Sequence, residues 1–462
     1  MSEYKDIPKA ESKTDTVLAY SVTINPKEEQ EYTIELIYKD TEEDQSEDMG
    51  KILSGTLNIQ EGTTNSVPLL TAMLRDNPII SERTDFSVTN TATTTGTIYQ
   101  TNKTEDGSTV YYYSGNTTNN WVKFGKMEQE LYKYGISSTS PTDPTSQIVT
   151  YYYNTSCPSN AVSCTKFYSV GDDIYWRIIR TNEDESIRLL YAGTSHDTTS
   201  GYIKMSEFNN GLYDTKYVGY MYGTSDSLEN NRANTFDNKI KSTIDTWYEN
   251  NLLTNYDKYI SKTAIYCNDR SVGSGSFNTG NTAFYYGASA RLNINKSPSY
   301  KCGANANNGL FETTQALADK FSASTSGGGN GQLTYPIALM TADEVAFAGG
   351  KEENELSSPY AWYYTNSQGE SITETSNWWL LSPYSWNRYV SSNVYLGTFR
   401  SLVFCINGSG DSGNMVQYNI NTSGATRPAI SLKACVEYSS GNGTPESPYE
   451  VTIDDTCASA EN

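Results

Sequence analysis

Histidine is almost missing from this chain: His196 is the only one in 462 residues. That leaves no room for a multi-histidine metal site and little for a histidine-based catalytic triad. Basic residues are scarce too. Lys and Arg number 33 against 54 Asp and Glu, a formal net charge of −21, and no basic stripe offsets it. Such a chain repels phosphate backbones, which argues against nucleic-acid and anionic-membrane binding. No apolar run approaches the roughly 18 residues of a membrane span. The apolar fraction is low, 36%, but aromatics reach 12%, too many for a disordered chain. What the sequence has is tyrosine: 38 residues, more than Lys and Arg together. It reads as a folded α+β protein, mainly β, with a surface of Tyr, Thr, Ser, Asn and Gly.

The opening Met1-Ser2-Glu3-Tyr4 runs straight into polar sequence, which taken literally means a cytosolic protein. The seven cysteines argue otherwise. Cys157 and Cys164 flank a short loop, Cys267 and Cys302 bracket a Gly/Ser/Asn-rich segment, and Cys435 and Cys457 bracket the C-terminal tail. Neighbouring pairs within loops point to disulfide staples in an oxidising compartment, with free buried thiols as the alternative. No CxxC-type spacing supports zinc. Seven is odd, so Cys405 is left without a partner. The expectation is an extracellular or cell-surface ectodomain whose signal or anchor is not part of this sequence.

Along the chain, residues 16–62 alternate with period two in three runs joined by polar turns, which predicts a small antiparallel sandwich over 1–66, a spacer or stalk. Residues 67–104 read as a linker with one short helix. Further on, Asp173-Ile-Tyr-Trp-Arg-Ile-Ile-Arg180 and Ser186-Ile-Arg-Leu-Leu-Tyr191 flank a five-residue acidic loop, a hairpin. Asp237 is expected to cap a helix through about Asn250, with Ile240, Ile244, Trp247 and Tyr248 as its core stripe. Thr341 to Ala348, followed by Gly349-Gly350, reads as a short capped helix ended by glycine.

Catalytic motifs are absent: the chain has no GxxxxGK[ST], HExxH or GxSxG. A single GxGxxG, Gly408 to Gly413, precedes a strand-like run (Met415 to Ile420) rather than a helix and reads as a turn. Ser195-His196-Asp197 are adjacent, and adjacent side chains splay apart along the backbone, so a surface-loop histidine is the reading. The acidic loops Asp40–Asp48 and Asn182–Glu185 lack calcium-loop spacing. No metal or cofactor is expected, and the chain is read as not an enzyme.

The informative stretch runs from Asn377-Trp378-Trp379-Leu380-Leu381-Ser382-Pro383 to Arg427-Pro428-Ala429-Ile430. Its ends read as rigid core strands. Its middle shows no sustained period and mixes Tyr, Ser, Asn, Arg, Phe and Gly, the residues of binding paratopes. With the Tyr175-Trp176-Arg177-Ile178-Ile179-Arg180 strand, these motifs resemble a bacterial C-type-lectin-like domain. The subclass is the one shared by formylglycine-generating-enzyme-like folds and the variable proteins of diversity-generating retroelements. The resemblance covers about residues 105–438, with an insertion at about 127–172, and leaves 439–462 as a disulfide-stapled tail.

The resemblance implies an exported binding protein whose C-terminal segment, about 384–423, is rewritten at adenine-containing codons. Such rewriting never yields Lys, Glu, Gln, Met or Trp, and Asn387 to Asn414 contains none of the five. It would also account for Cys405 as a diversified position. On that exposed face, Tyr384, Trp386, Arg388, Tyr389, Tyr395, Phe399, Arg400, Leu402, Phe404, Cys405 and Tyr418 would give contact area. Asn387, Ser391, Asn407 and Asn419 would give hydrogen bonds. Trp176, Trp378, Trp379 and Pro428 would hold the scaffold. The partner would be an unknown protein or surface ligand on another cell or phage. The copper-binding cysteine pair of the formylglycine enzymes and the Glu-Pro-Asn, Gln-Pro-Asp and Trp-Asn-Asp tripeptides of calcium lectins have no counterpart. A fixed adhesin or pilus-tip subunit, or an enzyme with a deep pocket of paired carboxylates, are the alternatives.

Overall fold

The structure is a computed structural model. It describes residues 67–462, apart from 144, 225–227, 232, 304–317, 325–328, 353–360, 392–393, 409–412, 454–456 and 458–462. The sandwich expected over 1–66 lies outside the described residues, as do most of the GxGxxG turn and the side chains of Tyr389, Ser391 and Tyr395. What is described is mainly β, with few and short helices.

The expected hairpin is the centre of the main sheet. Asp173–Thr181 and Ile187–Gly193 pair antiparallel and are buried along almost their whole length. Ile, Leu, Tyr and Trp suit a strand covered on both faces. Their loop is closed by Asn182 N donating to Ser186 O, 2.7 Å, while Asp184 accepts from both the backbone N and the hydroxyl of Ser186. On one side the sheet continues through Pro428–Leu432 to Ile337–Leu339. On the other it continues through Trp121–Lys126 to Tyr449–Val451, Glu437–Ser440 and Val67–Pro68.

Two sequence boundaries therefore move. Residues 67–104 carry the expected short helix, Leu69–Asp76, but are not a linker. Thr97–Thr101 pairs with Val110–Tyr112, which in turn joins the central strand at Arg180. The tail after 438 likewise supplies a sheet strand, Tyr449–Val451, pairing parallel with Trp121–Lys126. In both places the strands are two to five residues long, too short for a period to show in sequence. Residues 131–168 form a separate three-stranded antiparallel sheet within the stretch read as an insertion.

The core stripe lies where the spacing placed it. Ile240, Ile244, Trp247 and Tyr248 are buried, and Trp247 meets Trp176 and Tyr191 edge-on. The helix, Lys239–Asn251, starts one residue later than expected. Asn238 is the cap, its Oδ1 accepting from Lys241 N at 2.8 Å, whereas Asp237 pairs with Lys241. The second helix, Ala342–Ala348, has a full capping box between Thr341 and Glu344 and ends at Gly349. Gly349 has φ +116°, and a Cβ there would lie 2.5 Å from Asn90 O, so glycine is required on both counts.

All three expected disulfides are present: Cys157–Cys164, Cys267–Cys302 and Cys435–Cys457. Cys405 is free and buried. Among the described residues no helix is long and apolar enough to cross a membrane.

Candidate ligand-binding cavity

The C-terminal stretch differs from its sequence reading. Its periodless middle is a long antiparallel hairpin, Trp378–Ser391 with Val394–Ile406, extended by Met415–Asn419. Alternation is hidden for two reasons. Residues 378–386 are buried on both faces, and the register shifts three times along the pair.

The paratope-like side chains divide accordingly. Tyr384, Trp386, Phe399, Leu402, Phe404 and Cys405 are buried core, not an exposed face. The Tyr384 ring packs edge-on against Phe404 and its hydroxyl donates to Glu352. Trp386 Nε1 donates to Gly280 O, 2.8 Å, and its ring faces Phe399. Cys405 fills space as a small apolar group, and burial pushes its thiol pKa up. Only Arg388 is exposed among the described candidates, while Asn387, Arg400, Asn407, Tyr418 and Asn419 are half-buried. Trp176, Trp378, Trp379 and Pro428 are all buried. His196 is half-buried, hydrogen-bonded through Nδ1 to Ser367 Oγ, and Ser195 contacts Asp197 instead.

A cavity lies elsewhere, beside the central hairpin. Its volume is about 450 Å³, within the range of small-molecule sites. Two arginines of the hairpin form one wall. Arg180 Nε donates to Glu344 Oε1 at 3.1 Å and Arg188 Nη1 to the same oxygen at 3.3 Å. Glu344 is placed by the capping box, its Oε2 accepting from Thr341 N at 2.9 Å. The helix that carries it also sets Asp343, which binds Arg291 through Nε at 3.1 Å and Nη2 at 2.8 Å. Arg291 reaches Asp269 through Nη1. All six side chains are at least nine-tenths buried.

The Tyr300 ring joins the wall, with Arg180 4.3 Å from its centre; Arg188 lies 4.3 Å from the ring centre of Tyr266, which is not part of the lining. The rim is acidic and open to water, with Asp106 and Asp184 exposed and Glu183 half-buried. The Cys267–Cys302 disulfide braces one side: Cys267 lines the space, and Cys302 N donates to Glu105, which also pairs with Lys320 at 2.7 Å.

Burial alone would raise the Glu344 carboxyl pKa. The Arg188 and Arg180 guanidiniums outweigh it and hold the group below its usual value of 4.5. Burial likewise opposes the charge on Arg180 and Arg291, but their carboxylate neighbours raise both above the usual arginine range. Glu344, Arg180 and Arg291 are thus fixed charges, not proton donors poised near neutrality.

One signal of this site stood in the sequence unread. Arg180 and Arg188 interrupt strands that are otherwise apolar and buried, and a buried charge demands partners. Asp269, at the end of the short strand Tyr266–Asp269, and Arg291, in the helical turn Ala290–Ile294, carried no such signal. No family model matches the chain, and neither the curated proteins nor the solved structures contain a match. Among the described residues no cluster of His, Cys, Asp and Glu could hold a metal ion.

Proposed function

We propose that this chain is an exported, surface-displayed ligand-binding protein and that the arginine-walled cavity takes the ligand. The observation that carries the reading is the cavity itself: a concave space whose charged floor is buried, braced by a disulfide, and locked in ion pairs. Preorganised charges of this kind favour binding, because the ordering cost falls on folding rather than on association. A deep pocket of carboxylates was the mark of an enzyme. Here each of Asp269, Asp343 and Glu344 is held in an ion pair with an arginine, which supports recognition over acid–base chemistry. Three disulfides support an oxidising compartment.

Thermal unfolding with a panel of small polar metabolites tests this. A ligand at about 100 times its Kd adds about 2.7 kcal/mol. Thr263→Phe, at the half-buried mouth, should abolish the shift without touching the ion pairs. A shift that survives Thr263→Phe would place binding elsewhere.

A second reading, the diversified face implied by the C-type-lectin-like resemblance, is supported only at the outer half of the hairpin. There Arg388 and Thr398 are exposed, and Arg400 lies over the exposed ring of Tyr213. Sequences of the locus from sibling strains should vary at 387, 388, 398 and 400 and stay fixed at the six buried positions. Uniform sequences would favour a fixed adhesin.

A further inference from the structure

The buried charges around the cavity are not evenly shared. On one side two cations, Arg180 and Arg188, share a single buried anion, Glu344, a local sum of 2 − 1 = +1. Glu183 stands 3.9 Å from Arg180 at the wetter rim, where water screens it. On the other side one cation, Arg291, lies between two anions, Asp269 and Asp343, a local sum of 1 − 2 = −1. The cavity therefore has a positive end and a negative end within one small space.

The unmet hydrogen-bonding capacity is polarised in the same way. Arg188 is 1% exposed, yet its Nε has no partner among the described residues, and neither has the hydroxyl of Tyr300 beneath Arg180. Both are at the positive end, and both can give a proton. A buried donor left unpaired costs about 1–3 kcal/mol, which an anionic oxygen would recover. At the negative end the carboxylate oxygens already accept bonds but, as acceptors with several lone-pair sites, can take more.

Charge at longer range narrows the choice. The rim residues Asp106, Glu183 and Asp184 and the net charge of −21 repel a simple anion. A simple cation would leave the positive end unmet. A neutral molecule with separated charges meets both.

Resting on the reading of the cavity as a binding site, we propose that its ligand is a small zwitterion with the head group of a free α-amino acid. Its carboxylate faces Arg188 and Arg180, and its ammonium faces Asp343 and Asp269. The remaining volume accommodates a side chain.

Isothermal titration of the full chain, disulfides intact, tests this with three probe sets: the common L-α-amino acids, their N-acetyl and carboxamide forms, and neutral monosaccharides. Free amino acids should bind, capping either end should weaken binding at least ~100-fold, since each loses a charge-assisted bond to a buried partner, and Thr263→Phe should block it. Arg188→Met should lose the discrimination between the free carboxylate and its carboxamide. If that variant fails to fold, Arg188→Lys, which keeps the charge but removes Nε, should weaken the carboxylate form at least ~10-fold relative to the carboxamide. Capped forms binding as well as free ones would overturn the zwitterion. So would a monosaccharide that binds alone and is blocked by Thr263→Phe, while leaving the cavity as a site. No heat from any probe would overturn both.

Discussion

Arg177 and Arg180 stand three residues apart on one strand and are both buried, yet they live in different chemistry. Arg177 gives its protons to Asn120 Oδ1 and the carbonyl oxygens of Thr117 and Thr365, between the rings of Trp121 and Trp362. Its neighbour Arg427 does likewise with the carbonyls of Tyr191 and Tyr363, over Trp378. Among the described residues no carboxylate lies within ion-pair distance of either. Burial, with the two like charges close together, pulls Arg177 well below the usual arginine range, and burial pulls Arg427 to about 9. Arg180, Arg188 and Arg291 face carboxylates around open space. The difference separates two uses of one residue. Carbonyls and rings make a guanidinium into core material, whereas shared carboxylates around a cavity leave a field that a ligand can feel.

The sharpest way to break this comparison is to remove Glu344. Glu344→Gln leaves Arg180 and Arg188 without their common counter-charge and should cost about 3–5 kcal/mol in urea unfolding. Opening Cys267–Cys302, which spans 35 residues, should cost roughly 3–4 kcal/mol by loop entropy and loosen the cavity wall. Arg427→Met, which leaves two carbonyls unpaired but no carboxylate, should cost less, about 1–3 kcal/mol. A loss larger than that of Glu344→Gln would erase the distinction.

The acid limb separates the two sets further. The Glu344 pKa is depressed in the folded state, so its contribution is complete above its unfolded value of 4.5 and is lost as pH falls through the lower folded value. The stability gap between wild type and Glu344→Gln should therefore hold from neutrality to about pH 5 and close below it. Arg427→Met should show no such closing. The smallest effect belongs to Arg388→Ala, on the exposed end of the long hairpin, which should stay within about 0.5 kcal/mol.

Much of the architecture was legible because it rests on local rules. The central hairpin, the stripe on 239–251, the Thr341–Glu344 box and the three cysteine pairs each follow from spacing within a few residues or from loop bracketing. The long hairpin was not legible, since burial on both faces and shifted register removed the alternation that marks a strand. That same burial turned Trp386, Phe399 and Phe404 from expected contact residues into core. The cavity was half legible. Its arginines announced a need for partners, but Asp269, Arg291 and Glu344 meet only through pairings of 22 to 164 residues in sequence, which no local pattern encodes.

The central claim is that the arginine-walled space is a site and the carbonyl-bound arginines are core. Titrating the common L-α-amino acids into wild type, Thr263→Phe and Arg427→Met measures this most directly. The account predicts binding by wild type and, undiminished, by folded Arg427→Met, with none by Thr263→Phe. Binding that survives Thr263→Phe, or that Arg427→Met alone abolishes, would contradict it.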